Sequence, residues 1–240
     1  MGVIRTIAGV LFVLSLPVLL FTTSVRYAVN ELRLYEYGFR RYDVPAVTGL
    51  SLEQLNEAAR TIKDYFNSDQ ETLYVQVEQD GQETALFSPK ERAHMQDVKE
   101  LVRLVYWVQD VSLAYVLSYT VLAYVWAREA PLRSLARGAL WGGGLTLGTV
   151  AFLGLGSLVN FGDLWVQFHE VAFTNDLWQL DPRTDRLIQM FPEPFWRDAT
   201  LFVGLLTVAQ ALAIMAVSGL YLRLRRSKVP RSRLRELALG

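Results

Sequence analysis

Four apolar runs, each long enough to cross a bilayer, constrain this chain more than any other feature. They extend over Ile7 to Val25, Leu101 to Ala127, Gly138 to Val159 and Ala199 to Leu222, each closed by charged or turn residues. A transmembrane helix needs about 20 mostly apolar residues. A chain with four such runs is therefore not an ordinary soluble enzyme, and its 20% charged residues and mean hydropathy of +0.20 agree. Pro17 at most kinks the first run, because neighbouring helices can satisfy freed backbone groups. A cleaved signal peptide competes for that run. The apolar stretch is long for one, only Arg5 marks a basic leader, and no A-x-A site follows. A retained anchor is the expectation.

Four spans put both termini on one side, and Lys and Arg accumulate in the cytoplasm beside spans. Arg5, the 128–137 loop with Arg128, Arg133 and Arg137, and the tail from Arg223 through Arg225, Arg226, Lys228, Arg231, Arg233 and Arg235 set the orientation. These eleven basic residues face only Glu129 and Glu236, a balance of +9, which leaves −9 for the rest of a chain whose net charge is zero. Both termini are expected inside. The layout that follows has span one at 1–26, an extracytoplasmic domain at 27–100 and span two at 101–127. A cytoplasmic loop at 128–137 leads to span three at 138–159. An extracytoplasmic loop at 160–198, span four at 199–222 and a basic cytoplasmic tail at 223–240 complete it. The tail reads as a topology determinant that touches anionic lipid.

The outer segments carry their own signals. Ser51-Leu52-Glu53-Gln54 has the form of a capping box, and Leu52, Leu55, Ala59, Ile62 and Phe66 follow at helical spacing, which predicts an amphipathic helix. Thr72 to Val77 and Glu83 to Phe87 flank Asp80-Gly81, a turn pair that predicts a β-hairpin. Ser88-Pro89-Lys90-Glu91 opens another helix with a second capping box and proline at its first position, and that helix runs unbroken into span two and places His94 about 10 Å beyond Leu101, at headgroup level. In the second outer loop Trp165, Phe168 and Ala172 share one helical face with His169 beside it, the pattern of an interfacial or re-entrant helix. Span three is glycine-rich, and Gly144-x-x-x-Gly148 permits close helix approach, read as packing within the chain rather than dimerisation. The fold class is thus an all-α membrane protein of four transmembrane helices with a small extracytoplasmic α+β cap.

Chemistry has few places to reside. The absence of cysteine removes disulfides, thiol nucleophiles and Cys-ligated metals, and zero net charge argues against a nucleic-acid partner. There is no GxSxG elbow, no phosphate-cradling GxxxxGK loop and no GxGxxG, and His169-Glu170 lacks the second histidine of a zincin. What remains is the only two histidines, His94 and His169, both on extracytoplasmic segments at the membrane surface. Asp97 lies three residues after His94, within reach of its ring, and Glu170, Asn175 and Asp176 lie near His169 in sequence. Asp110, about 160° round the helix from His94, sits on the Arg103 side, where an ion pair with Arg103 or a contact with a substrate headgroup is expected.

The blocks HMQDVKELV (94–102), FHEVAFTNDLW (168–178) and DPRTDRLIQMFPEPFWRD (181–198), with VTGLSLEQL (47–55) and the span order, resemble the four-span bacterial lipoprotein intramolecular transacylase family. The resemblance covers most of the chain. It implies a cell-membrane acyltransferase that moves an ester-linked acyl chain of a diacylglyceryl lipoprotein onto the α-amine of its own N-terminal cysteine, giving a lyso-form lipoprotein. The family's two histidines fall on His94 and His169.

That chemistry suits the residues. The substrate's own amine is the nucleophile, with a pKa of ~7.7 to 8, so no Ser or Cys is required. A base, an oxyanion donor and a held geometry are required, and histidine titrates near neutrality. The expectation has His169 as base and His94 as oxyanion donor or acid, or the reverse, without a covalent acyl-enzyme. Asn175 is a possible oxyanion donor, Asp97 or Asp176 a ring-orienting acid, and Trp165, Phe168, Phe173 and Trp178 the lining of the acyl-chain entrance. The expected partners are the lipoprotein and membrane lipid, with no nucleic acid, cofactor or metal, and the expected state is a monomer. Two other readings stay open: a non-enzymatic four-span protein that binds lipid or protein, and a metal-assisted lipid hydrolase. Histidines well beyond ~10 Å apart with no shared cleft would favour the binding protein.

Overall fold

The computed structural model describes residues 2–79, 81–125 and 130–226. Asp80, the loop charges Arg128 and Glu129, and the tail from Lys228 to Glu236 lie outside the described residues. In chain order the elements are α1 (Gly2–Asn30), α2 (Leu32–Arg41), α3 (Val44–Thr48), α4 (Leu52–Phe66), β1 (Gln76–Gln79) and β2 (Gln82–Ala85). There follow α5 (Pro89–Val125), α6 (Ala130–Val159), α7 (Phe161–Ala172), α8 (Arg186–Met190) and α9 (Glu193–Arg226). Four of the helices, α1, α5, α6 and α9, are long and apolar enough to cross a membrane. The protein is an all-α membrane protein with one small antiparallel sheet among the described residues.

The described residues divide into two compact units, one within 2–20, 110–150 and 207–226, the other within 21–109 and 151–206. In the first, Phe12, Leu16 and Ala139 form a buried cluster with Tyr115, Tyr119, Leu135 and Ile214 against it. Phe12 and Tyr119 stack with ring centroids 4.8 Å apart, and the Tyr115 hydroxyl donates to the Ala8 carbonyl at 2.9 Å. Small residues make the approach possible, since between spans packing replaces the hydrophobic drive. A Cβ on Gly142 would stand 2.5 Å from Leu16 Cδ1 and 3.1 Å from the Val13 carbonyl oxygen, and one on Gly138 would stand 3.2 Å from Phe12. Around Gly144 and Gly148 nothing lies within 4 Å. The close approach expected at Gly144-x-x-x-Gly148 is therefore made by Gly138-x-x-x-Gly142, on a different face of the same helix. Gly142→Leu is expected to destabilise by about 1 to 3 kcal/mol through overpacking against backbone, read as a lowered Tm in detergent. Gly144→Leu should leave Tm unchanged, and equal effects would contradict the assignment.

The second unit holds the larger core. Phe39, Val44, Leu50, Leu55, Ile62, Tyr65, Leu73, Phe87 and Met190 are buried together. Ser51 and Gln54 make the expected capping box, with Gln54 N donating to Ser51 Oγ at 3.2 Å and Ser51 N to Gln54 Oε1 at 2.9 Å. The apolar stripe of α4 meets α2. The hairpin pairs Gln76 with Ala85 and Gln79 with Gln82, and Gly81 takes the positive φ of 76° that glycine accommodates in a tight turn.

Candidate active site

The first turn of α5 is built around one buried carboxylate. Glu91, 2% exposed, accepts Ser88 N at 2.8 Å on Oε2 and Leu187 N at 2.6 Å on Oε1. Its first oxygen completes the capping box that starts the helix; its second ties that turn to α8. On the same helix Lys90 Nζ donates to the Gln179 carbonyl, and Asp97 Oδ2 accepts Asn175 Nδ2 at 3.0 Å. Three polar links thus bracket His94 and fasten it to the 175–187 segment.

His169 comes from α7, which Asn160 caps by accepting Asp163 N at 3.3 Å. The outward side of α7 exposes Val166, Phe168 and Val171, as an interfacial helix requires. His169 points the other way and is 6% exposed, as is His94. Their ring centroids are 6.1 Å apart, inside the separation that one acid/base site needs.

Aromatic rings enclose the pair. Centroids of Trp165, Trp178, Phe168 and Phe173 lie 4.5, 4.9, 5.2 and 5.6 Å from that of His169, and Phe173 is 5.2 Å from His94. All four aromatics expected near the acyl chain are gathered here. The sequence reading missed Trp196, which stacks on Trp165 at 4.9 Å and fixes α7 against the start of α9. Glu91 and Lys90 were seen only as helix-start residues. The signal for Trp196 was present in the PFWRD block, but its contact with α7 was not.

Hydrogen bonding sets the protonation pattern. His169 Nδ1 lies 2.7 Å from the Trp165 carbonyl oxygen; a carbonyl only accepts, so Nδ1 carries the proton and Nε2 holds the lone pair. His94 Nδ1 is buried without a partner among the described residues. A proton there would be stranded, so the neutral ring carries its N–H on Nε2. Burial, reinforced by His169 and Lys90 and opposed by Asp97, pushes His94 down to about 4. Burial also pushes His169 below its ordinary value, opposed by the hydrogen bond to Trp165. Both rings are neutral at pH 7.

The unfolded chain therefore binds more protons than the folded one between pH 6.5 and about 4, so stability is complete above 6.5 and is lost as pH falls through that window. His94 contributes up to about 3 kcal/mol of this loss. Thermal unfolding in detergent should show a Tm that climbs from pH 4 to 6.5 in the wild type and a flatter profile in His94→Phe. Identical profiles would contradict the buried neutral ring.

Other expected site residues lie elsewhere. Arg103 does not take Asp110 as its partner: Nη2 donates to the Ser68 carbonyl at 2.6 Å and to Asp69 Oδ1 at 2.7 Å, because the 67–72 loop folds back onto α5. Lys99 secures the same loop through the Gln70 carbonyl and the Tyr65 ring. Asp176 accepts Gln179 Nε2 at 3.2 Å, in a turn of its own loop rather than at a histidine ring. Asn175 spends Oδ1 on Leu177 N at 3.0 Å and Nδ2 on Asp97. Among the described residues no carboxylate hydrogen-bonds either histidine, and no three His, Asp or Glu side chains converge as a metal's ligands.

Comparisons with known proteins bear on this arrangement. The chain is similar to the membrane-integral lipoprotein intramolecular transacylase Lit of Bacillus cereus, with a TM-score of 0.79 at 17% identity over 95% of this chain and 100% of that one. A histidine-to-arginine variant of that protein superposes with a TM-score of 0.75 at 19% identity, covering 94% and 95% of the two chains. At such identities the likeness is one of fold. An uncharacterized protein of Aquifex aeolicus is 25% identical over 212 residues, 88% of this chain and 93% of its own. The family model for the lipoprotein intramolecular transacylase Lit matches residues 10–196, more than three quarters of the chain. This chain belongs to the lipoprotein intramolecular transacylase family, whose members are membrane acyltransferases.

Proposed function

We propose that this protein moves one ester-linked acyl chain of a diacylglyceryl-modified lipoprotein onto the α-amine of the same molecule's N-terminal cysteine, using His169 as base and His94 as oxyanion donor. The observation that supports the reading is the pairing of two neutral histidines 6.1 Å apart inside one aromatic cage. The amine attacks the ester carbonyl carbon and a C–N bond forms. His169 Nε2 takes the proton released by nitrogen, while the Nε2–H of His94 donates to the developing oxyanion. The C–O bond to glycerol then breaks, and the glyceryl oxygen receives the proton held by His169. Amine and ester belong to one molecule, so holding them in place replaces a bimolecular encounter, worth about 7 to 11 kcal/mol in ideal cases.

In this account Trp165, Phe168, Phe173 and Trp178 hold the acyl chain and exclude water. Asp97 and Asn175 act on His94 as a linked pair rather than on the oxyanion. Arg103 and Asp176 support the surrounding loops. Every group belongs to one chain, so a monomer suffices. Arg5, Arg133 and Arg137 support the cytoplasmic placement of both termini, the span boundaries read from sequence, and an extracytoplasmic site.

A crossover experiment tests the intramolecular step. Purified protein is given a mixture of one lipoprotein with deuterated acyl chains and a second with ordinary chains. Each product should keep its own label; mixed products would show an acyl pool shared between molecules. Elemental analysis of the same preparation separates this reading from metal-assisted hydrolysis, which needs a stoichiometric divalent ion.

A further inference from the structure

Arg92 follows Glu91 on α5 but serves none of the links around His94. Two residues at about 100° each put the Arg92 and His94 side chains on opposite sides of the helix. Arg92 Nε is buried without a hydrogen-bond partner among the described residues, and its guanidinium carbon lies 5.4 Å from the centroid of the Tyr74 ring. Buried N–H groups left unpaired are rare, and the same residue lines a cavity. Tyr74, Val75, Gln76, Ala85, Phe87 and Arg92 line a pocket of about 410 Å³. A cation, a side-chain amide and an aromatic wall suit a ligand that brings an anionic acceptor.

The pocket is lined by residues at the start of β1 and the end of β2, and the hairpin offers a backbone template beside it. β1 is engaged on its outer edge, where Gln54 Nε2 donates to the Glu78 carbonyl at 2.8 Å. β2 is exposed along its length, and among the described residues no third strand lies beside it in the sheet. Leu86 N donates to the Val75 carbonyl at 2.9 Å, so by alternation Glu83 and Ala85 turn their backbone groups away from β1. An extended peptide adds to such an edge.

We propose that the β2 edge and the Arg92 pocket bind the lipoprotein's own polypeptide, downstream of its acylated cysteine, as an added strand with an acidic side chain on Arg92. The inference rests on the transacylase reading, which supplies such a peptide. Glu83 on the same edge disfavours a second acid opposite it. A helix about 10 to 12 Å across separates the pocket from His94, so the tether must cover some 16 to 19 Å, about five or six extended residues.

Binding is measured on the full chain in detergent by anisotropy of an unlipidated, fluorescent peptide of about twelve residues carrying one Asp, against its Asn counterpart. Arg92→Gln should weaken the Asp peptide about tenfold and leave the Asn peptide unchanged, with Arg92→Lys between. Ala85→Pro, which removes an outward N–H and leaves Arg92 in place, should weaken both. Equal binding of Asp and Asn peptides by the wild type, or displacement of the peptide by glycerol 3-phosphate at equal concentration, overturns the proposal; the latter makes this a headgroup site. With acylated substrates Arg92→Gln should raise KM for a long lipopeptide at unchanged kcat and leave one of about three residues unaffected. If the wild type acylates neither lipopeptide while peptide binding follows the expected pattern, the transacylase reading fails and the docking edge stands.

Discussion

His169→Gln is expected to lower the rate of N-acylation by about 10² to 10⁴-fold, the range of a lost general base. Glutamine approximates the side chain's reach but holds no lone pair of comparable basicity. The expected effect is large because the environment leaves one atom to do the work. Nδ1 is committed to the Trp165 carbonyl at 2.7 Å, so only Nε2 can take the proton from the attacking amine. The four rings packed around it carry no basic atom, and the one other imidazole, His94 at 6.1 Å, is assigned the donor's part. The measurement is the rate at which a diacylated lipopeptide loses its free amine, with Tm recorded alongside to separate catalysis from folding. A variant with wild-type Tm and at least a tenth of the wild-type rate would refute the role.

His94→Ala is expected to cost about 10² to 10³-fold, as for a lost oxyanion donor. His94→Asn should recover part of that loss, because an amide N–H donates without titrating. The two histidines act on one intermediate, so the double variant should fall little below the worse single variant. Independent multiplication of the two losses would place the rings in separate processes. The pH profile gives a second reading. His94 is held near 4 and His169 below its ordinary value, so both stay neutral until the medium is acid. The substrate amine loses its proton near ~7.7 to 8. Rate should therefore climb with pH towards 8, with no alkaline loss from either histidine. In the wild type, a fall in kcat/KM between pH 6.5 and 8 would contradict neutral rings.

Much of this site is legible in residue types alone. Two histidines on outer segments, no cysteine and no serine motif left little else for chemistry, and the aromatics around His169 were legible because α7 has helical periodicity. The capping boxes at Ser51 and Ser88 were legible because their partners lie three residues away. What stayed hidden depends on contacts between distant segments. Arg103 pairs with Asp69, 34 residues upstream, and no local pattern distinguishes that from the acid seven residues ahead. Glycine spacing predicted close packing, but which pair makes it depends on the rotation of α6 against its neighbours. The helices α2 and α3 went unseen although Tyr35, Gly38 and Phe39 share one buried face of α2, because each is short, ten and five residues, and carries no side-chain capping box or turn pair of the kind that marks α4 and the hairpin. Tyr35 and Phe39 are buried only because α4 and Phe191 supply the other half of their environment.

On the proposed function, two histidines of one cage relocate an acyl chain within a single lipoprotein. The most direct measurement is the mass and base-lability of the N-terminal lipopeptide after incubation with purified, reconstituted protein. The expected product has an unchanged mass, a blocked amine, and one of the two acyl chains surviving alkaline treatment as an amide; His94→Ala and His169→Ala should each leave both chains base-labile. A product lighter by one fatty acyl chain, or a base-stable acyl group formed equally by both variants, would contradict it.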